Sequence, residues 1–298
     1  MFSYQCRMSD IGGRYDGIMH ATIISIANQK GGVGKTTSTV NLAFALLKAG
    51  KKVLVIDSDP QSSLSIIHGI DPRDLKKLDA AGKTLYFGLV KDAPLESLII
   101  RGSPCLIPSS IRLANAETEL ASPFGVATVL KEKIASIQDQ YDFILIDCPP
   151  TLSVLTVNAL SASHGVVIPC KTDYLSIMGI PLLIETIENV CRRANPSLRI
   201  IGILPTLFNA RVGHDAEAIQ ELRASVAMKK IHVFDPINRS TVFDKANVES
   251  KPALELFPQT PGIDQYKVVA QKIIDLHASK KYNSYERENP RRYVWGTC

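Results

Sequence analysis

Short runs of apolar and β-branched residues recur along the chain. Each is followed by a stretch in which apolar positions return every three or four residues. "TIISIA" (22–27), "KVLVID" (52–57), "DFILID" (142–147), "GVVIPC" (165–170), "IIGILPT" (200–206) and "IHVFDP" (231–236) read as strands. Their near-continuous apolar character suits strands buried on both faces. Helices are expected over Lys35–Lys48, closed by Gly50, and over 125–138, 176–193 (ahead of Pro196), 215–227 and 262–279. This alternation predicts an α/β fold, a mainly parallel twisted sheet with helices on both faces. Residues 62–120 are mixed, with a weaker strand near "SPCLIPSS".

Composition adds little to that picture and removes several classes. With 298 residues at 45% hydrophobic content, the chain can bury a large core. The expected organisation is a flexible extension over 1–20, one α/β domain over 21–280 and a tail over 281–298. No apolar run approaches the ~20 residues of a spanning helix, and the first residues lack a signal-peptide layout. A soluble, cytoplasmic protein is the expectation, with no membrane partner. Cys6, Cys105, Cys148, Cys170, Cys191 and Cys298 are scattered, without C-x-x-C pairs, so neither a zinc site nor a disulfide framework is indicated. The net charge is +5, and residues 265–298 hold seven Lys/Arg against Asp275, Glu286 and Glu288. Such a cluster reads as a solvated helix face and tail, or as a sequence-independent surface for phosphate backbones.

The chemistry concentrates in "ANQKGGVGKTTSTVNLA", a Gly-rich turn between a strand and a helix. Gly31, Gly32 and Gly34 let backbone N–H groups converge on phosphate oxygens, Val33 between them, and the helix adds its positive end. Lys35 is placed to reach β- and γ-phosphates, Thr36 to ligate Mg²⁺, and Thr37 to contact the α-phosphate side. Two details depart from G-x-x-x-x-G-K-[ST]: Gln29 stands where the first Gly belongs, and Lys30 is a second lysine. A nucleotide site also needs a carboxylate for the metal, and Asp147, ending "FILID" before Cys-Pro-Pro, supplies it at the sheet edge where ligands bind. "VLVIDSDPQSS" adds Asp57, a candidate for the metal's outer shell, and Asp59, a candidate water holder. The alternative reading of these two, as turn-forming aspartates ahead of Pro60, stays open.

Taken with the spaced "VVIPCKTDYLSIMGIPLLIETI", these motifs resemble the deviant Walker-A ATPases of the ParA/MinD type, and most closely the ParA (Soj-like) partition branch. The resemblance covers roughly residues 21–280. It implies ATP and Mg²⁺ as cofactors and a homodimer sandwiching two nucleotides, with Lys30 reaching the partner subunit's ATP. It assigns water activation to Asp59 and the magnesium shell to Asp147. Phe208 and Asn209 in "ILPTLFNAR", with Pro236 and Ile237 in "FDPINRS", match its base-contacting segments. It further implies non-specific DNA binding on the nucleoid through basic residues of the C-terminal third, with Arg239, Lys245, Lys251, Lys267 and Lys272 as candidates. Gln259 departs from the pattern, standing where many members are basic. A ParB-like partner stimulating hydrolysis is the default expectation.

Three other readings compete. A MinD-like membrane-cycling ATPase needs a C-terminal amphipathic helix, for which 281–298, with Pro290 and one apolar cluster at Tyr293, Val294 and Trp295, is poorly suited. A metal-cluster reductase needs interface cysteines, and Cys148 has no evident mate. A nucleotide-dependent biosynthetic ligase needs room for a synthetase domain, which 298 residues scarcely leave.

Overall fold

In the computed structural model of the protein, residues 20–120 and 127–288 are described, with side chains to 279. The strands are β1 (Thr22–Ile26), β2 (Val53–Asp57), β3 (Cys105–Ile107), β4 (Phe143–Asp147), β5 (Gly165–Lys171) and β6 (Arg199–Thr206). The helices in chain order are α1 (Lys35–Lys48), α2 (Ser63–Ile67), α3 (Pro72–Ala80), α4 (Leu85–Val90), α5 (Ala116–Glu119), α6 (Val129–Ile134), α7 (Val154–Ala162), α8 (Tyr174–Met178), α9 (Ile180–Arg193), α10 (Gly213–Ala227), α11 (Val242–Val248), α12 (Ala253–Leu256) and α13 (Gln265–Glu288). The strands form one parallel sheet in the order β3-β2-β4-β1-β5-β6.

The period-two geometry of a strand explains the apolar runs. Ile144 and Ile146 of β4 join one core layer with Leu54 and Ile56 of β2. Phe143 and Leu145 join the other with Val53 and Val55. The first layer is closed by helices that include α4, α6, α7, α9 and α10, and the second by α1, α12 and α13. Because all strands run the same way, their C-terminal ends share one edge. Asp57 and Asp147 sit opposite each other there, in register.

Several expectations change. "IHVFDP" is not a strand: Val233 makes a single bridge to Ile203, and Phe234 instead lays its ring where a side chain on Gly202 would stand, 2.6 Å from that position. The helix expected over 125–138 is shorter, α6 followed by a 3-10 turn at Gln138–Gln140, and its first residues up to 126 lie outside the described residues. The last helix begins at Gln265 and runs on to Glu288. Residues 1–19 and 289–298, including the Tyr293–Trp295 cluster, also lie outside them.

The expectation about apolar runs also needs correcting. Tyr174–Arg193, spanning α8 and α9, has a mean hydropathy of 1.3 over a length that would cross a bilayer by composition alone. Its Ile180, Leu183, Ile184, Ile187 and Val190 recur at helical spacing and are buried in the first core layer. Sheet burial therefore accounts for those positions. Tyr174, Leu175, Met178 and Leu182 of the same stretch stay exposed.

Candidate functional site: a phosphate loop at the sheet edge

The loop between β1 and α1 turns where the sequence places its glycines. Gly34 caps α1 in the left-handed region, at φ 82°, which any side chain would strain. A Cβ at Gly31 or Gly32 would meet nothing within 4 Å, so the loop's outer side is open. Such backbone beside a helix N-terminus is an anion cradle. The loop is fastened from below: Thr206 donates to the Val33 carbonyl at 2.9 Å, and Asn28 donates to the Pro169 carbonyl at 2.7 Å and accepts from the Lys30 amide.

Lys35 is buried and folds its ammonium back to the Lys30 carbonyl at 3.2 Å. Burial lowers its pKa, an effect opposed by the charge of Asp147. Thr36 donates to one oxygen of Asp147 at 2.7 Å, and Thr39 to the other at 3.2 Å. Thr37 lies beside Thr36 on the first turn of α1, and its carbonyl accepts from Asn41.

The carboxylates differ in their ties. Asp147 is fully buried, and burial, reinforced by the neighbouring Asp57, pushes its carboxyl up to about 8. Asp57, equally buried, is pushed up to about 7 by burial against the pull of its hydrogen bonds. It accepts from the Ser65 hydroxyl at 2.6 Å and amide at 2.8 Å and from the Asp59 amide at 3.2 Å. Asp57 therefore braces the loop that carries Asp59. Asp59, at 9% exposure, accepts from the Gln61 amide and holds the edge of the cradle.

A hydroxyl beside a carboxylate is a hard-oxygen donor set that fits Mg²⁺. Among the described residues no group of three or more His, Cys, Asp or Glu is gathered for a metal.

The two departures from the ordinary loop meet on one element. Gln29 donates to the Gly179 carbonyl at 3.1 Å, and Lys30 pairs with Asp173 at 2.9 Å. Gly179 and Asp173 bracket α8, so the loop's first residues are stitched to the end of β5. Asp173 escaped the reading of the sequence. Its signal was an Asp in front of an apolar run with Ser three residues later, an N-cap pattern, and its side chain does accept from the Ser176 amide at 2.8 Å. Thr39 and Ser65, which orient the two buried carboxylates, were missed too, since nothing in their local sequence marks them.

Beyond β6, the segments of the candidate base site come together. The Phe208 amide donates to the Ile237 carbonyl at 3.1 Å and the Arg239 amide to the Phe208 carbonyl at 2.8 Å. Thr206 ties this pair of segments to the phosphate loop. Phe208 and Pro236 are half-buried and Asn209 exposed, but Ile237 is in the core at 2% exposure.

The basic candidates do not form one group. Arg239, Lys245, Lys251 and Lys267 are exposed. Lys272 is half-buried, its ammonium 5.2 Å from the centre of the Phe234 ring, and it lines a cleft of about 320 Å³ with Arg199, Lys230 and His232. Arg199 begins β6, so this cleft lies at the opposite end of the sheet from the phosphate loop.

A parallel sheet whose first strand feeds a glycine loop capped by Lys-Thr, with an Asp ending a neighbouring strand, defines a P-loop ATPase. Residues 21–200 match the AAA domain family. The chain is 36% identical over 255 residues to the sporulation initiation inhibitor protein Soj of Bacillus subtilis, covering 84% of this chain and 97% of that one. Among solved structures it is similar to a putative plasmid partition protein of Borrelia burgdorferi bound to AMPPNP (26% identity, TM-score 0.68, 87% of this chain and 99% of that one). It is also similar to a cobyrinic acid a,c-diamide synthase of Mycobacterium smegmatis with bound ADP and magnesium (33% identity, TM-score 0.67, 77% and 91%). The chain belongs to the ParA/Soj family of partition ATPases.

Proposed function

We propose that this chain is a nucleotide-switched positioning ATPase that pairs into a dimer on ATP, holds DNA without sequence preference, and lets go after hydrolysis. The observation that carries the reading is Lys30: a second lysine beside a complete phosphate loop, on the rim of the cradle and 37% exposed. One loop needs one lysine for its own phosphates, and Lys35 fills that place.

In this reading Lys35 and the N–H groups of residues 31–34 bind the phosphates, and Thr36 and Asp147 hold magnesium, with Asp57 behind them. The ion supplies charge neutralisation at the phosphate oxygens. Asp59 orients the attacking water, Phe208, Asn209 and Pro236 border the base, and Lys30 crosses to the partner subunit's nucleotide. A cation supplied in trans makes pairing conditional on the nucleotide, because without phosphate charge across the interface it has nothing to gain from leaving its own subunit. Ile237 serves this site through its backbone, which aligns Phe208. The ATPase unit is residues 21–280, and its place is the cytoplasm, on the nucleoid.

The cargo is a plasmid, a chromosome or a protein assembly, and a ParB-like adaptor stimulates hydrolysis. Names of relatives support the partition role, and the exposed Arg239, Lys245, Lys251 and Lys267 supply cations for a phosphate backbone. The test is retention on DNA with and without ATP and magnesium at several salt concentrations, beside binding to anionic liposomes. ATP-dependent, salt-sensitive DNA retention is expected. Liposome binding in its place would favour the membrane-cycling branch.

A further inference from the structure

Lys30 does not point freely outward. Its ammonium is 2.9 Å from Oδ1 of Asp173, the residue that begins the turn from β5 into α8. Asp173 has a second cation in reach, Lys171, whose ammonium is 3.0 Å from Oδ2. It also accepts from the Ser176 amide. The pair is therefore an ion triad with one carboxylate and two lysines. If Lys30 leaves, Asp173 keeps one ion pair and one backbone hydrogen bond, so its departure strands no charge. The contact is partly exposed, with 37% of the Lys30 side chain and 32% of Asp173 accessible, and pairs of that kind are weak enough to exchange.

The helix that follows Asp173 adds a second observation. Tyr174, Leu175 and Met178 of α8 stand 62%, 73% and 54% exposed, an apolar face on the element to which the loop is stitched. Solvent-facing apolar groups beside a polar, exchangeable ion pair are what a surface covered part of the time requires. A second copy of this chain is the occupant that the dimer reading supplies.

We propose that Asp173 is a latch that keeps Lys30 on its own subunit, and that two such latches open when a nucleotide-loaded pair of copies forms. This inference rests on the dimer reading above. Asp173 is a positioning residue: it sets the equilibrium of Lys30 between a cis carboxylate and a trans phosphate, and Lys171 inherits the carboxylate.

The competing assignment is a plain helix cap, and it predicts a different response. Asp173→Asn keeps an N-cap acceptor and removes the charge. Sedimentation velocity of the full chain with magnesium and AMPPNP over a range of protein concentrations reads the dimer constant. With the latch, Asp173→Asn strengthens the dimer by about two- to fivefold for each subunit, up to about 25-fold in all, while the nucleotide-free melting temperature stays within about 2 °C. Lys171→Gln leaves Asp173 to Lys30 alone and weakens the dimer. A dimer unchanged or weakened in Asp173→Asn at unchanged melting temperature overturns the latch, and so does strengthening in Lys171→Gln. Should the wild-type chain stay monomeric while Asp173→Asn pairs, the latch stands as a dominant restraint. If neither pairs, the dimer reading falls and takes the latch with it.

Discussion

Thr36 donates its hydroxyl proton to Asp147 at 2.7 Å, joining the first turn of α1 to the end of β4 across the floor of the phosphate cradle. In the proposed reading this pair holds the magnesium ion. Asp147→Asn should leave the fold intact, because the amide oxygen can still accept from Thr36 while its NH2 donates to the Thr39 hydroxyl, which keeps its own bond to the Lys35 carbonyl. It should weaken magnesium-dependent ADP binding by about 10- to 100-fold. Calorimetric titration of ADP with and without magnesium checks this, with the magnesium-free affinity expected to change little.

The same carboxylates give the nucleotide-free protein a pH dependence. Burial pushes Asp57 and Asp147 up from 3.8 to about 7 and about 8. Between about pH 4 and pH 8 the folded chain therefore holds more protons at these sites than the unfolded chain. Their contribution to stability is greatest at the acid end of that window and is lost as pH rises through the folded values. The melting temperature in metal-free buffer should be lower at pH 8 than at pH 6. Asp147→Asn should reduce that slope, and a slope identical to wild type would contradict the assignment.

Asp59 sits on a loop braced by Asp57, and its own contact is to the Gln61 amide. Asp59→Ala should bind nucleotide and pair normally but hydrolyse ATP at least about a hundredfold more slowly. Phosphate release measured beside sedimentation separates the two effects. A variant that stays monomeric with ATP would remove the water-positioning role.

Gly262 packs against the segment that carries Pro236 and Ile237. Its φ is 78°, and a Cβ there would lie 2.4 Å from the Pro236 carbonyl oxygen and 3.0 Å from the Ile237 Cα. Backbone cannot yield as a flexible side chain does, so Gly262→Ala should cost about 1–3 kcal/mol in urea unfolding. It should also lower ADP affinity, because the Phe208 amide donates to the carbonyl of Ile237, the residue that follows Pro236. Lost stability with unaltered affinity would place the base elsewhere.

Much of this architecture was legible in the chain itself, for identifiable reasons. Strands such as "FILID" and "VLVID" are apolar on both faces because both faces are covered, and the glycine turn announces itself because the φ of Gly34 strongly favours glycine. "IHVFDP" misled because its apolar residues serve another end: Phe234 fills the space over Gly202 and does not extend a ladder. Ile237, a base-contact candidate in the sequence, has its side chain in the core, and its carbonyl accepts from the Phe208 amide. Asp173 carried only a local N-cap pattern, and its pairing with Lys30, 143 positions earlier, leaves no periodic trace. Long-range ion pairs are set by how the sheet brings strand ends together, and local pattern does not encode that.

In the proposed dimer Lys30 acts across the interface, on the partner subunit's nucleotide. Sedimentation velocity of wild type and Lys30→Ala, with magnesium and AMPPNP at matched nucleotide occupancy, measures this directly. Wild type should pass from monomer to dimer on adding the nucleotide, and Lys30→Ala should bind it and remain a monomer. A nucleotide-dependent dimer of undiminished strength in Lys30→Ala would contradict the trans role.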